Sequence, residues 1–198
     1  MKRLGFDLIL LGDPTAGKDT QAGILMKKYA LKPVESGNYW RKMLKSKTAD
    51  GDLVRKTVGL GHPAPVSLMK KFLETNLRNA QNNQDLIFIG NPRLKPEAQL
   101  LVKLLKDRNR DFFVLYFKLP EKEIYKRSLR RVRTDKEASR QYIKNRINYT
   151  KHQVSKTVAY FKSLDKLKFI DNMPPIPQVA KNIQKAIDEY KFRNHFES

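Results

Sequence analysis

The stretch Gly12-Asp13-Pro14-Thr15-Ala16-Gly17-Lys18-Asp19-Thr20-Gln21 constrains this chain more than any other. The apolar run before it, Phe6-Asp7-Leu8-Ile9-Leu10-Leu11, reads as a buried strand, and Ala22 to Tyr29 after it reads as a helix. A strand, a glycine-rich turn and a helix opening on a lysine form the setting in which backbone N–H groups cradle phosphates. Gly12, Gly17 and Lys18 keep the Gly-x4-Gly-Lys spacing, and the hydroxyl arrives one place late, as Thr20 after Asp19. The helix N-terminus adds partial positive charge, and the Lys18 ammonium is long enough to reach outer phosphates.

The rest of the chain alternates short apolar runs with helical periodicity. Leu31 to Gly37 reads as a short strand and turn, followed by short helices over Tyr39 to Leu44 and Leu53 to Val58. The string Ala49-Asp50-Gly51-Asp52 between those helices is a turn signal. Val66, Met69, Phe72, Leu73 and Leu77 recur at helical spacing. Leu86 to Ile89 and Phe112 to Phe117 are wholly apolar, as strands buried on both faces are. Helices are expected over Pro96 to Arg108, over Glu121 to Arg131, and from the loop at Arg133-Thr134-Asp135 through Phe161. A last strand at Lys168 to Asp171 precedes a closing helix with Val179, Ile183, Ile187 and Tyr190. Strands alternating with helices imply an α/β fold with a parallel sheet covered on both faces. Ligands in such sheets sit beyond the carboxyl ends of the strands, which places Gly12–Thr20, Ser36–Arg41, Gly90–Arg93 and Asp171 along one rim.

Composition bounds the partners. The 198 residues fit one domain with a sizeable core. With no cysteine, structural disulfides and cysteine-ligated zinc or iron–sulfur sites are excluded. Asp7 interrupts the first apolar run, so the start reads as a strand and not as a signal peptide. No stretch approaches the roughly 20 apolar residues needed to span a bilayer. The reading is a cytoplasmic protein without a membrane partner. A formal net charge of +21 favours anionic partners, nucleotides or nucleic acid, or belongs simply to a solvated basic surface.

At this point the chain resembles the adenylate kinase family of nucleoside monophosphate kinases over nearly its whole length. The phosphate loop is similar to the family's Gly-x-Pro-Gly-x-Gly-Lys-Gly-Thr-Gln at Gly12, Pro14, Gly17, Lys18, Thr20 and Gln21. Ser36-Gly37-Asn38-Tyr39-Trp40-Arg41 is similar to its Thr/Ser-Gly-Asp-x-x-Arg, and Ile89-Gly90-Asn91-Pro92-Arg93 to its Asp-Gly-Phe-Pro-Arg. Arg127 and Arg131 fit its paired lid arginines, and Arg146 fits the arginine of its last-but-one long helix. The resemblance implies a P-loop three-layer sandwich on a five-stranded parallel sheet. Residues 36–65 would form a small monophosphate-binding insertion and residues 131–140 a short lid. The implied reaction is reversible transfer of the ATP γ-phosphoryl to AMP, with Mg²⁺ as cofactor.

The resemblance also implies roles. Gly12, Thr15, Ala16, Gly17, Lys18, Asp19 and Thr20 hold the donor triphosphate, with Thr20 on Mg²⁺ and Arg127 against the donor base. Ser36, Arg41, His62, Pro63, Ala64, Gly90, Arg93 and Glu97 hold the acceptor. Lys18, Arg93, Arg131 and Arg146 act on the transferring phosphoryl. A further lid arginine is Arg133 by its local string or Arg140 by gapless counting from Arg146. Arginine suits these places because its planar fork donates two parallel hydrogen bonds to phosphate and stays charged.

Five departures bear on the chemistry. Thr15 stands where the family has glycine, and a β-branched residue is strained if that position needs φ > 0. Asp19 replaces a glycine; it either lends a carboxylate to Mg²⁺ or caps the helix start. Ile89 and Asn38 replace aspartates. Glu97 falls where an adenine-reading glutamine is expected, and a carboxylate only accepts hydrogen bonds, which suits guanine better than adenine. The expected acceptor is AMP; the alternatives are another monophosphate (GMP, CMP or UMP) or a weakly active nucleotide-binding protein that contacts RNA.

Overall fold

The computed structural model describes residues 1–81, 83–130 and 140–196, without the side chains of 140 and 194–196. Strands β1 (Asp7–Gly12), β2 (Leu31–Glu35), β3 (Asp85–Ile89), β4 (Phe112–Lys118) and β5 (Leu167–Asp171) form one sheet in the order β2-β3-β1-β4-β5. All four pairings are parallel. The three central strands are the three longest apolar runs, buried along nearly their full length. The edge strands β2 and β5 are shorter in apolar content and half exposed.

Helices cover both faces. On one side α1 (Lys18–Lys28), α7 (Arg140–Tyr149) and α9 (Ile176–Phe196) pack on Leu8, Leu10, Ile87, Phe113 and Leu115. On the other, α2 (Ser36–Leu44), α3 (Ala49–Lys56), α4 (Val66–Arg78), α5 (Lys95–Lys106) and α8 (Ser155–Ser163) cover Ile9, Leu11, Phe88, Val114 and Tyr116. Alternate residues of β1 thus feed two separate cores, as the period-2 pleat requires. Each fully buried Leu, Ile or Phe contributes about 1.5–3 kcal/mol by leaving water. Helix α6 (Glu121–Arg130) follows β4 and buries little beyond Ile124.

Asp7, the one charge in the first apolar run, closes the amino end of the sheet. Its carboxylate accepts from Leu86 N at 2.7 Å and from the Arg110 guanidinium at 2.6 and 2.8 Å. Burial pushes this acid up, while Arg110 pulls it back down. Gly12 closes the other end of β1 at φ +147°, where a Cβ would lie 2.4 Å from the Phe117 carbonyl oxygen. Only glycine lets the phosphate loop leave the sheet there.

Two expectations are corrected. The Asp50-Gly51-Asp52 string is the first turn of α3, not a turn between helices. Thr48 caps it, accepting from Gly51 N at 3.2 Å, and the two acids face the positive end of the helix dipole. Gly51 is required by packing, because a Cβ would lie 2.4 Å from Ser46 O. The long helix through Phe161 is interrupted by a π turn at Thr150–Val154 between α7 and α8. The Thr150 hydroxyl donates to Arg146 O at 2.8 Å, competing with the backbone ladder where the turn widens.

Candidate active site

The carboxyl ends of β1, β2 and β3 open on one chamber of about 390 Å³. Its walls at one end are Thr15, Ala16, Gly17, Lys18, Asp19, Thr20 and Arg127, and at the other Glu35, Gly37, Trp40, Arg41, Leu44 and Val58. Ile89, Gly90, Arg93, Tyr142 and Arg146 lie between them. Three separated motifs therefore meet at one rim.

The phosphate loop is shaped by its exceptional backbone. Gly17 at φ +67° precedes α1, and Thr15 takes φ +58° despite its branched side chain. A non-glycine residue in this left-handed region costs about 1–2 kcal/mol. The strain anticipated at Thr15 is present, offset in part by its hydroxyl donating to Pro14 O at 2.6 Å. Asp13 anchors the loop to the sheet by accepting from Leu119 N at 2.7 Å and from the Tyr116 hydroxyl at 2.8 Å. Burial, and then the Asp13 carboxylate, push the Tyr116 hydroxyl pKa well up.

Lys18 folds back on this loop. Its ammonium donates to Gly12 O at 3.0 Å and Asp13 O at 2.8 Å. Desolvation, then the positive charges of Arg93 and Arg146, pull its pKa down to about 7, while Asp19 and Asp13 oppose them weakly. Three cations gathered this close, opposed in part by Asp19 and Asp13, give this end of the chamber a positive field that suits polyphosphate.

At the other end of the chamber Arg41 reaches Asn38 Oδ1 and lies 3.5 Å from the Glu35 carboxylate. Asn38 in turn donates to Glu35, so the three form a closed surface ring. The side of this end is apolar: Trp40, Leu44 and Val58, with Tyr39 and Phe72 packed behind Trp40. Arg127 is steadied by Glu123 at 2.8 Å and by Asn172 O at 3.4 Å, and Arg146 lies over the Tyr142 ring at 5.7 Å.

Several expected site residues lie elsewhere. Glu97 is 1% exposed and does not line the chamber; its Oε2 accepts from Arg93 N and Leu94 N at the start of α5. As the third residue of that helix it reaches back to the amides of Leu94, which caps the helix, and of Arg93 before it. His62 is exposed, and neither it nor Pro63 nor Ala64 lines the chamber. Ser36 is fully buried and donates to Gly90 O at 3.4 Å, joining α2 to the β3 turn from outside the chamber. Gly12 borders a small side pocket behind Lys18 and not the chamber itself. Asp171 is exposed, and its carboxylate accepts from Met173 N at 3.0 Å. Arg131 and Arg133 lie outside the described residues, as does the side chain of Arg140. Trp40 lines the wall within the expected Ser36–Arg41 stretch; unforeseen wall residues are Glu35, Leu44, Val58 and Tyr142. Tyr142, one helical turn before Arg146, is the one that spacing alone could have found.

A phosphate loop facing an arginine-lined chamber, on a parallel sheet of order 2-3-1-4-5, is the arrangement of a phosphate-binding α/β protein. The adenylate kinase family model matches residues 10–166. The adenylate kinase of Azobacteroides pseudotrichonymphae is 29% identical over 182 residues, 90% of this chain and 95% of that protein. Those of Bacteroides fragilis and Leptospira biflexa are each 27% identical, over 92% and 94% of this chain and 98% and 100% of theirs. The chain belongs to the adenylate kinase family.

Proposed function

We propose that this chain reversibly transfers the γ-phosphoryl of ATP to AMP, with ATP on the Lys18 side of the chamber and AMP on the Arg41 side. The observation that carries it is the convergence of Lys18, Arg93 and Arg146 between the phosphate loop and the Arg41–Trp40 end. Phosphoryl transfer spreads charge over the moving group, and catalysis is mostly positioning and electrostatic stabilisation. The loop amides of residues 15–20 and Lys18 hold the donor phosphates, Lys18 trading its two carbonyl partners for phosphate oxygens. Arg41 and Arg93 grip the acceptor phosphate, and Arg146 steadies the charge between. One acceptor oxygen forms a bond to the γ-phosphorus as the bond to the β–γ bridging oxygen breaks, so both products are ADP. No side chain in the chamber stands as a covalent nucleophile in this scheme.

The residues present fit Mg²⁺. Among the described residues no three His, Cys, Asp or Glu side chains come together to cage a metal. Mg²⁺ needs none, because it keeps several waters and binds through one or two oxygens plus substrate phosphates. The Thr20 hydroxyl and Asp19 carboxylate, hard oxygen donors on the chamber wall beside Lys18, would hold it. When bound it supplies neutralisation of phosphate charge. Residues 36–65 as the acceptor insertion and 131–140 as a short lid belong to the same proposal. Since one chain furnishes both ends of the chamber, the proposed assembly state is a monomer. No helix among the described residues is long and apolar enough to cross a membrane; the cytoplasm is the proposed compartment.

The test is product stoichiometry with the purified chain. ATP, AMP and Mg²⁺ should yield two ADP per ATP consumed, with AMP preferred over GMP, CMP and UMP. Release of inorganic phosphate in place of the second ADP, or a GMP preference, would contradict the proposal.

A further inference from the structure

Arg93 is fixed at three atoms. Its N–H donates to Glu97 Oε2 at 2.7 Å, its carbonyl accepts from the Thr157 hydroxyl at 2.6 Å, and its Nε donates to Gly90 O at 2.8 Å. Glu97 and Thr157 are 1% and 0% exposed, come from α5 and α8, and both lie outside the chamber wall. A carboxylate at that depth is costly unless its bonds repay it. Burial pushes the Glu97 carboxyl up, while the Arg93 and Leu94 amides and the Arg93 charge pull it back. Arg93 lines the chamber and also the side pocket behind Lys18, which Tyr149 borders.

We propose that Glu97 and Thr157 are positioning residues that aim Arg93 at the acceptor phosphate, so that Glu97 serves the phosphate grip and not the choice of base. The inference rests on the acceptor assignment given under Proposed function. Displacement of a phosphate-binding group by about 1 Å lowers rate as much as 100-fold. Anchoring the backbone on both sides of Arg93 prevents that displacement better than any contact to the mobile end of its side chain. The acceptor base is left to Trp40, Leu44 and Val58, which select by shape and stacking.

The two amide bonds to Glu97 end on the same oxygen, so a glutamine carbonyl can replace it and an alanine cannot. The test compares wild type, Glu97→Gln, Glu97→Ala and Thr157→Val. It reads kcat/KM for AMP and GMP, and AMP affinity through the emission of Trp40, the only tryptophan. Glu97→Ala is expected to lower kcat/KM for both acceptors in parallel, by about 10- to 100-fold. Thr157→Val should lower both by about 3- to 10-fold, and Glu97→Gln should stay within about 3-fold of wild type. AMP affinity should fall in Glu97→Ala and Thr157→Val. Because Glu97→Ala also strips a helix cap, the melting midpoint is followed in parallel; Thr157→Val leaves that cap intact. A five-fold or greater shift in the AMP:GMP ratio in either Glu97 variant would overturn the inference, as would unchanged AMP affinity in both Glu97→Ala and Thr157→Val. If wild type turns over no AMP, the proposed function fails on its own, and AMP binding at Trp40 still decides the role of Glu97.

Discussion

At the proposed acceptor end of the chamber Arg93 is held by Glu97, Thr157 and Gly90. At the donor end Lys18 spends its ammonium on Gly12 O and Asp13 O, and the loop beneath it keeps Thr15 in the left-handed region. One cation is aimed by buried partners that it never has to release. The other is desolvated, crowded by Arg93 and Arg146, and bound to carbonyls that it must exchange for phosphate. Both arrangements suit polyanions, but they store the cost differently: in a buried carboxylate at one end, in a desolvated lysine and a strained turn at the other. Donor binding should therefore be coupled to protons, and acceptor binding should not.

The largest effect expected from breaking this contrast is at Lys18. Lys18→Met removes the cation nearest the donor phosphates and should lower kcat by about 100- to 1,000-fold. The nucleotide-free variant should nevertheless be no less stable than wild type near pH 6 to 7 in thermal melts. A lysine lowered from 10.5 to about 7 leaves the unfolded chain holding more protons between those values. Its contribution to stability is therefore present at high pH and lost as pH falls through about 7, and Lys18→Met should flatten that slope.

A smaller change is expected at the Arg41 ring. Glu35 competes with the incoming phosphate for Arg41, at 3.5 Å on a half-exposed surface. Glu35→Gln should lower the KM for AMP by about 2- to 5-fold in steady-state assays, the scale of a surface ion pair, with the KM for ATP unchanged. The smallest is at Thr15. Asparagine tolerates the left-handed region, so Thr15→Asn should raise stability by about 0.5–1 kcal/mol in denaturant titrations.

The parts of the molecule legible in the sequence are those whose cause is local. β1, β3 and β4 stand out as continuous apolar runs, and the phosphate loop through two glycines and a lysine at fixed spacing. Arg41, Arg93, Arg127 and Arg146 all reach the chamber. What local pattern could not convey depends on three-dimensional neighbours. Asp50-Gly51-Asp52 has turn composition, but Thr48 and the packing of Gly51 on Ser46 O make it a helix start. Glu97 is placed by motif at the acceptor base, yet the amides of Arg93 and Leu94, just ahead of its helix, hold its carboxylate. Trp40, Leu44 and Val58 read as ordinary apolar helix residues until the sheet brings them opposite Arg93.

The contrast between the two ends is tested most directly by calorimetry in buffers of differing ionisation enthalpy at pH 8. A Lys18 with a pKa of about 7 is mostly neutral there, so ATP binding should draw in about one proton, and Lys18→Met should abolish the uptake. AMP, met by arginines that stay charged, should bind with little or no uptake. Equal proton uptake for the two ligands, or undiminished uptake in Lys18→Met, would contradict the account.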